Sequence, residues 1–189
     1  MQVTEQPTDQ LASILPSLTT VVDRIEPHQL DAPTPCEHFT VLDVLNHMIV
    51  LGGSFGYWFR GHDAPTIEPA PADGQVPRER FGATMRDLLE AVHSPGAMER
   101  TISAPVGEMP GEQFARLVAF DGVVHGWDLA TSTGQTFAVD PDILAAVDEF
   151  ARAAIAPEMR DGDTFKDAVE PPAGASALER LVAFSGRTL

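Results

Sequence analysis

Apolar side chains recur at three- and four-residue spacing along most of this chain, and clusters of proline and glycine cut the pattern into segments. That period lines one face of an α-helix and does not suit a strand, whose faces alternate every two residues. Leu11, Ile14, Leu15, Leu18, Val21, Val22 and Ile25 form the first stripe, entered through Thr8 or Asp9 as a cap. Pro16 lies within it and lacks a backbone donor, so the sequence predicts either a kink or a helix whose first turn holds Pro16. A second helix is expected from Val41 to about Phe59, apolar on nearly every face and therefore central. Thr40 caps it, with Asp43 three residues on as an acidic variant of the capping box.

The third helix is predicted from Val76 or Pro77 to Val92, carrying Phe81, Met85, Leu88, Leu89 and Val92 on one stripe. The fourth starts near Pro110 and Gly111 and stops at Gly134. Asp140-Pro141 opens a fifth that reaches about Ala156, and Ser176 to about Ser185 forms a short last helix. Between them, Pro33 and Pro35 mark an ordered loop, and residues 61–77 a long exposed connection. Arg100 to Val106 is the one candidate for an extended segment, but it shows no clean alternation. Four or five long helices, short connections and no convincing strand pair predict an all-α antiparallel bundle, one domain over residues 1–189.

Charge and cysteine content narrow the function. The 28 acidic residues against 12 basic ones give a formal charge of −16, which opposes a surface that tracks nucleic-acid phosphates or anionic lipid. Cys36 is the single cysteine, so the chain can build no intrachain disulfide, Cys-only zinc cage or paired redox motif. Met1 to Gln10 is polar and lacks the basic and apolar segments of a secretory signal. The apolar run Val41 to Leu51 is broken by Asp43, Asn46 and His47 and is too short to cross a bilayer. The expected address is the cytoplasm.

Six histidines occur, at positions 28, 38, 47, 62, 93 and 125. His28, His62 and His93 fall in or beside predicted loops and read as solvated, and His38 flanks the proline loop in an outer or structural role. His47 differs. It sits inside the most apolar segment, where an unpaired imidazole is costly to bury. On the fourth helix Asp121 and His125 are four residues apart, which stacks a carboxylate and an imidazole on one face. If the second and fourth helices are neighbours, two imidazoles and a carboxylate meet and leave a position for water or substrate, as in a catalytic divalent site. Asp43 and Asp128 are candidates to orient the imidazoles. The same spacing also suits an ordinary surface pair worth a few tenths of a kcal/mol, and spacing alone leaves both readings open. Trp127 and Phe120 read as core, and Cys36 as a buried thiol that a nearby metal would activate.

Several segments taken together carry a resemblance. Pro33-Thr-Pro-Cys, Val41-Leu-Asp-Val-Leu-Asn-His, Asp121-Gly-Val-Val-His-Gly-Trp-Asp-Leu-Ala with Thr133-Gly-Gln, and Leu181-Val-Ala-Phe-Ser-Gly-Arg resemble the mycothiol-dependent maleylpyruvate isomerase-like branch of the DinB/YfiT metalloprotein superfamily. The likeness spans nearly the whole chain. It implies a DinB-like up-down-down-up four-helix bundle with an additional short C-terminal helix. It also implies a divalent metal, zinc first and nickel second, held by His47, Asp121 and His125. Asp121 stands where several branches carry Glu or His, and this shorter acid draws the ion toward the fourth helix; Phe39 stands where many relatives carry Trp.

The resemblance further implies a low-molecular-weight thiol of the mycothiol type and a small electrophilic substrate. A thiol on a divalent ion loses its proton near neutral pH. It then adds to a conjugated double bond, and either elimination after rotation gives the other isomer or the adduct leaves as the product of S-transfer. A metal-dependent hydrolase, a non-catalytic metal-binding protein and a metal-free interaction protein are the alternatives, so enzyme status stays open. A homodimer is also left open.

Overall fold

The structure, a computed structural model, describes residues 6–160, 162 and 165–189. The first five residues of the polar opening lie outside the described residues. Among the described residues six α-helices follow one another: α1 Pro7–Asp23, α2 Val41–Phe59, α3 Arg78–Val92, α4 Gly111–Ser132, α5 Pro141–Ala154 and α6 Ala177–Phe184. Single 3-10 turns occupy Pro27–Gln29 and Pro157–Met159. No helix among the described residues is long and apolar enough to cross a membrane.

Helix α1 starts at Pro7, a residue or two ahead of the expected cap, because the missing N–H of proline costs nothing in a first turn. It then runs through Pro16, which does not mark a first turn. Pro16 faces solvent while Leu11, Ile14, Leu15 and Leu18 around it are buried, so packing of the apolar stripe outweighs the lost backbone bond. Each such side chain contributes about 1.5–3 kcal/mol on full burial. Helix α2 begins with the expected capping box: Thr40 Oγ1 accepts from the Asp43 N–H at 3.2 Å, and Asp43 Oδ2 accepts from the Thr40 N–H at 2.9 Å. Helix α1 packs against α3 and α4, and α2 packs against the same two. Leu45, Ile49, Phe81, Leu88, Phe114 and Val123 fill the space between them.

The absence of a strand pair was a wrong expectation. Thr101–Ala104 (β1) and Gly107–Pro110 (β2) form an antiparallel hairpin across Pro105-Val106, with Ile102 opposite Met109. Only Ile102 is fully buried, so two four-residue strands offer no readable alternation. The hairpin is fastened to the start of α4 by the Gly111 N–H to Arg100 O bond and the Glu112 N–H to Met98 O bond, both 2.8 Å. Gly111 is obligatory at this approach, since a Cβ there would lie 1.8 Å from the Ala97 carbonyl oxygen. Gly111→Ala is therefore expected to cost at least about 1–3 kcal/mol, read as a lower thermal midpoint, because backbone must move to relieve the overlap. An unchanged midpoint would contradict that contact.

Two connections are ordered by polar side chains. In the proline loop, Thr34 N–H and Oγ1 both donate to Phe39 O, and the Phe39 N–H returns to Cys36 O at 2.9 Å. This turn holds His38 at a φ of 69° and sets the Phe39 ring against His47, 5.9 Å between centroids. The connection 61–77 is pinned by Asn46 on α2, whose Oδ1 accepts from the Ala70 N–H at 2.8 Å. That bond accounts for an amide in so apolar a helix and buries Ala70 within a segment expected to be exposed.

Candidate metal centre

Helix α2 presents His47 from its second turn, and the middle of α4 presents Asp121 and His125 one turn apart. The packing of α2 on α4 brings the three together. The His125 Nε2 lies 3.4 Å from Asp121 Oδ1, and the His47 Nε2 lies 3.9 Å from the same oxygen. The two imidazole rings meet edge to face with centroids 4.9 Å apart. One ligand atom from each residue lies within 4.8 Å of the others. His125 forms the floor with a side chain 6% exposed, whereas His47 and Asp121 are 29% and 36% exposed. The cluster therefore opens to solvent on one side.

Asp128 sits one turn beyond His125 and is wholly buried. Its Oδ2 accepts from His125 Nδ1 at 3.0 Å, so the expectation that Asp128 orients an imidazole matches what it touches. Asp43 has a different job, because its carboxylate is engaged by the Thr40 cap. Burial alone would push the His125 imidazole down, but the Asp121 and Asp128 carboxylates outweigh it and push it up to about 9. Burial likewise works against the Asp121 anion, yet the imidazoles of His125 and His47 hold its carboxyl well below the usual carboxylate range. Asp121, the carboxylate that faces both imidazoles, favours positive charge between them, whereas the Asp128 charge is shared with Arg187. Two ring nitrogens and one carboxylate oxygen are also donors suited to zinc or nickel, so the residues fit a divalent ion.

The other histidines stay away. His28, His38, His62 and His93 are exposed; His28 lies beside Glu26, His38 beside Glu37, and His93 Nδ1 is 2.7 Å from Leu89 O. His28→Ala should thus leave metal content unchanged in an elemental analysis, and a loss would contradict a site built on His47 and His125. Phe120 is buried and Trp127 packs on the core, as expected. Cys36 is half-buried near His125 and Asp128, and burial pushes its thiol up rather than activating it. Arg187 carried no role in the sequence reading. In the structure its guanidinium pairs with Asp128, the Nη2 lying 2.9 Å from Oδ2. Separate from this cluster, a cavity of about 370 Å³ between the hairpin, α4 and α5 is lined by apolar groups such as Leu117, Phe150 and Phe165.

No solved structure matches this chain. Two curated relatives from Mycobacterium tuberculosis do: "Uncharacterized protein MT0763" of strain CDC 1551 / Oshkosh and "Uncharacterized protein Rv0738" of strain H37Rv. Each is 35% identical over 162 residues, covering 85% of this chain and 86% of the relative. The profile of the mycothiol maleylpyruvate isomerase N-terminal domain matches residues 11–130, a span that includes His47, Asp121 and His125. Extending over well more than half of the sequence, this match makes the chain a member of the mycothiol maleylpyruvate isomerase N-terminal domain family, a DinB-like family.

Proposed function

We propose that this protein is a cytoplasmic divalent-metal enzyme in which His47, Asp121 and His125 hold the ion and a low-molecular-weight thiol of the mycothiol type attacks a small electrophile. The observation that carries the reading is the convergence of those three side chains, from two helices distant in sequence, on one point that stays open to solvent. We read the helices as a DinB-like up-down-down-up four-helix bundle, with α1 and α2 at opposite corners because each touches α3 and α4. A divalent ion at this point supplies Lewis acidity that lowers the pKa of a thiol reaching it.

The chain's own residues supply the rest. Asp128 holds the His125 ring with Nε2 turned toward Asp121, and Phe39 braces the edge of His47. The buried side of the cluster excludes water behind His125, so a ligand approaches past the half-exposed His47 and Asp121.

Zinc is the favoured ion and nickel the second. In the metal-free protein His125 keeps a proton up to about pH 9, and that proton must leave for the nitrogen to serve as a ligand. Apparent zinc affinity is therefore expected to rise with pH, by up to about tenfold per unit below about pH 9. Competition titrations between pH 6.5 and 8.5 check this, and a flat profile would contradict it.

A panel of thiols, mycothiol among them, with conjugated unsaturated acids as substrates tests the activity on the zinc-loaded protein. Thiol-dependent isomerisation or S-transfer is expected. Tight zinc with no thiol-dependent turnover would overturn the enzymatic reading and favour a non-catalytic metal-binding protein, while thiol-independent hydrolysis of an ester panel would make it a hydrolase.

A further inference from the structure

We propose that Arg187, near the chain's last residue, is a positioning residue of the metal centre: its guanidinium clamps Asp128 and so fixes which nitrogen His125 turns toward the ion. The inference rests on the metal reading above, and it concerns a residue beyond the span matched by the family profile.

The geometry begins at the end of α6. Gly186 takes a φ of 95°, its N–H donates to Ala183 O at 3.0 Å, and the Arg187 N–H donates to Val182 O at 3.1 Å. These paired bonds form the αL-terminated turn that reverses a helix end. The reversal sends the Arg187 side chain inward toward α4, where it is 14% exposed. Its Nη2 lies 2.9 Å from Asp128 Oδ2 and its Nε lies 3.3 Å from Oδ1.

This two-point grip matters because Asp128 is wholly buried and has a second customer. Its Oδ2 also takes the Nδ1–H of His125 at 3.0 Å. A carboxylate held at one oxygen turns about its own bond, whereas a planar guanidinium engaging both oxygens fixes its plane. With Asp128 fixed, Nδ1 of His125 is committed as a donor, and Nε2 is the nitrogen left to face Asp121. Arginine thus acts on the ion through two intermediaries, one carboxylate and one ring. Lysine would supply the charge but not the fork.

The test compares native protein with Arg187→Gln and Arg187→Lys by zinc competition titration and by ¹⁵N NMR of the His125 ring in the metal-free state. Arg187→Gln is expected to weaken zinc binding about 10–100-fold, the usual loss for a partner of a ligand, with Arg187→Lys between it and the native protein. The His125 ring signals should change in both variants, with Arg187→Gln the larger, while those of exposed His28 stay put. If Arg187→Gln fails to fold because Asp128 is left as an unpaired buried charge, the double variant Asp128→Asn/Arg187→Gln removes that charge. It should fold and bind zinc as weakly as expected for Arg187→Gln. Native-like affinity in Arg187→Gln or in the double variant, or unaltered His125 ring signals, would overturn the role. Failure of the native protein to bind zinc would overturn the metal reading instead, and the ring signals of the metal-free protein would still decide what Arg187 does to His125.

Discussion

Replacing Asp121 with alanine is expected to strip the protein of bound zinc while leaving its helical content nearly unchanged. The Asp121 Oδ1 is the one atom that faces both imidazoles, so its loss removes the anion between them and leaves two neutral donors. Partners outside the ligand shell already cost 10–100-fold in affinity, and a direct ligand should exceed about 100-fold. The fold should tolerate the change because the Asp121 side chain is 36% exposed and the neighbouring packing comes from Val118, Val123 and Val124. His125→Ala should empty the site equally. Elemental analysis and circular dichroism on the same samples check both, and unchanged metal content in both variants would refute the ligand assignment.

A second large effect is expected at Asp128, on stability rather than affinity alone. Asp128→Ala leaves the Arg187 guanidinium and the His125 Nδ1–H facing a buried hollow where a carboxylate stood. Breaking a buried ion pair from one side costs about 3–5 kcal/mol, more than deleting most surface pairs, because the remaining charge stays uncompensated. For a chain of this size the thermal midpoint should fall by about 2–4 °C per kcal/mol. Asp128→Asn keeps the shape and should lose less. Denaturation of metal-free protein separates this effect from metal binding, and a midpoint as high as the native protein's in Asp128→Ala would contradict the buried pair.

The helices were legible because their signals are local. Thr40 with Asp43 and Asp140 before Pro141 each place a cap at the observed start, and the last helix opens beside Ser176 as expected. The hairpin was not legible, since its stability comes from attachment to α4 at Gly111 and not from alternation within four residues. Pro16 misled in one of its two readings because proline reports a lost hydrogen bond and says nothing of the buried stripe that compensates for it. At the site, Asp121 and His125 were readable as an i, i+4 pair, and His47 as an imidazole in apolar company. Asp43 and Asp128 looked equivalent beside their histidines. Only three dimensions separate them: Asp43 closes a cap, and Asp128 meets Nδ1 of His125. Arg187 closes the Leu181-Val-Ala-Phe-Ser-Gly-Arg segment, but nothing local names its partner, which lies 59 residues earlier and is reached only when α6 turns back on α4.

The proposed function requires that His47, Asp121 and His125 hold one divalent ion. Its most direct test is the metal stoichiometry of untagged protein, loaded with zinc, freed of excess metal by gel filtration and compared with His47→Ala treated identically. Close to one zinc per native chain and next to none in the variant is the expected result. Native protein that elutes without zinc, or a variant that retains as much as the native chain, would contradict it.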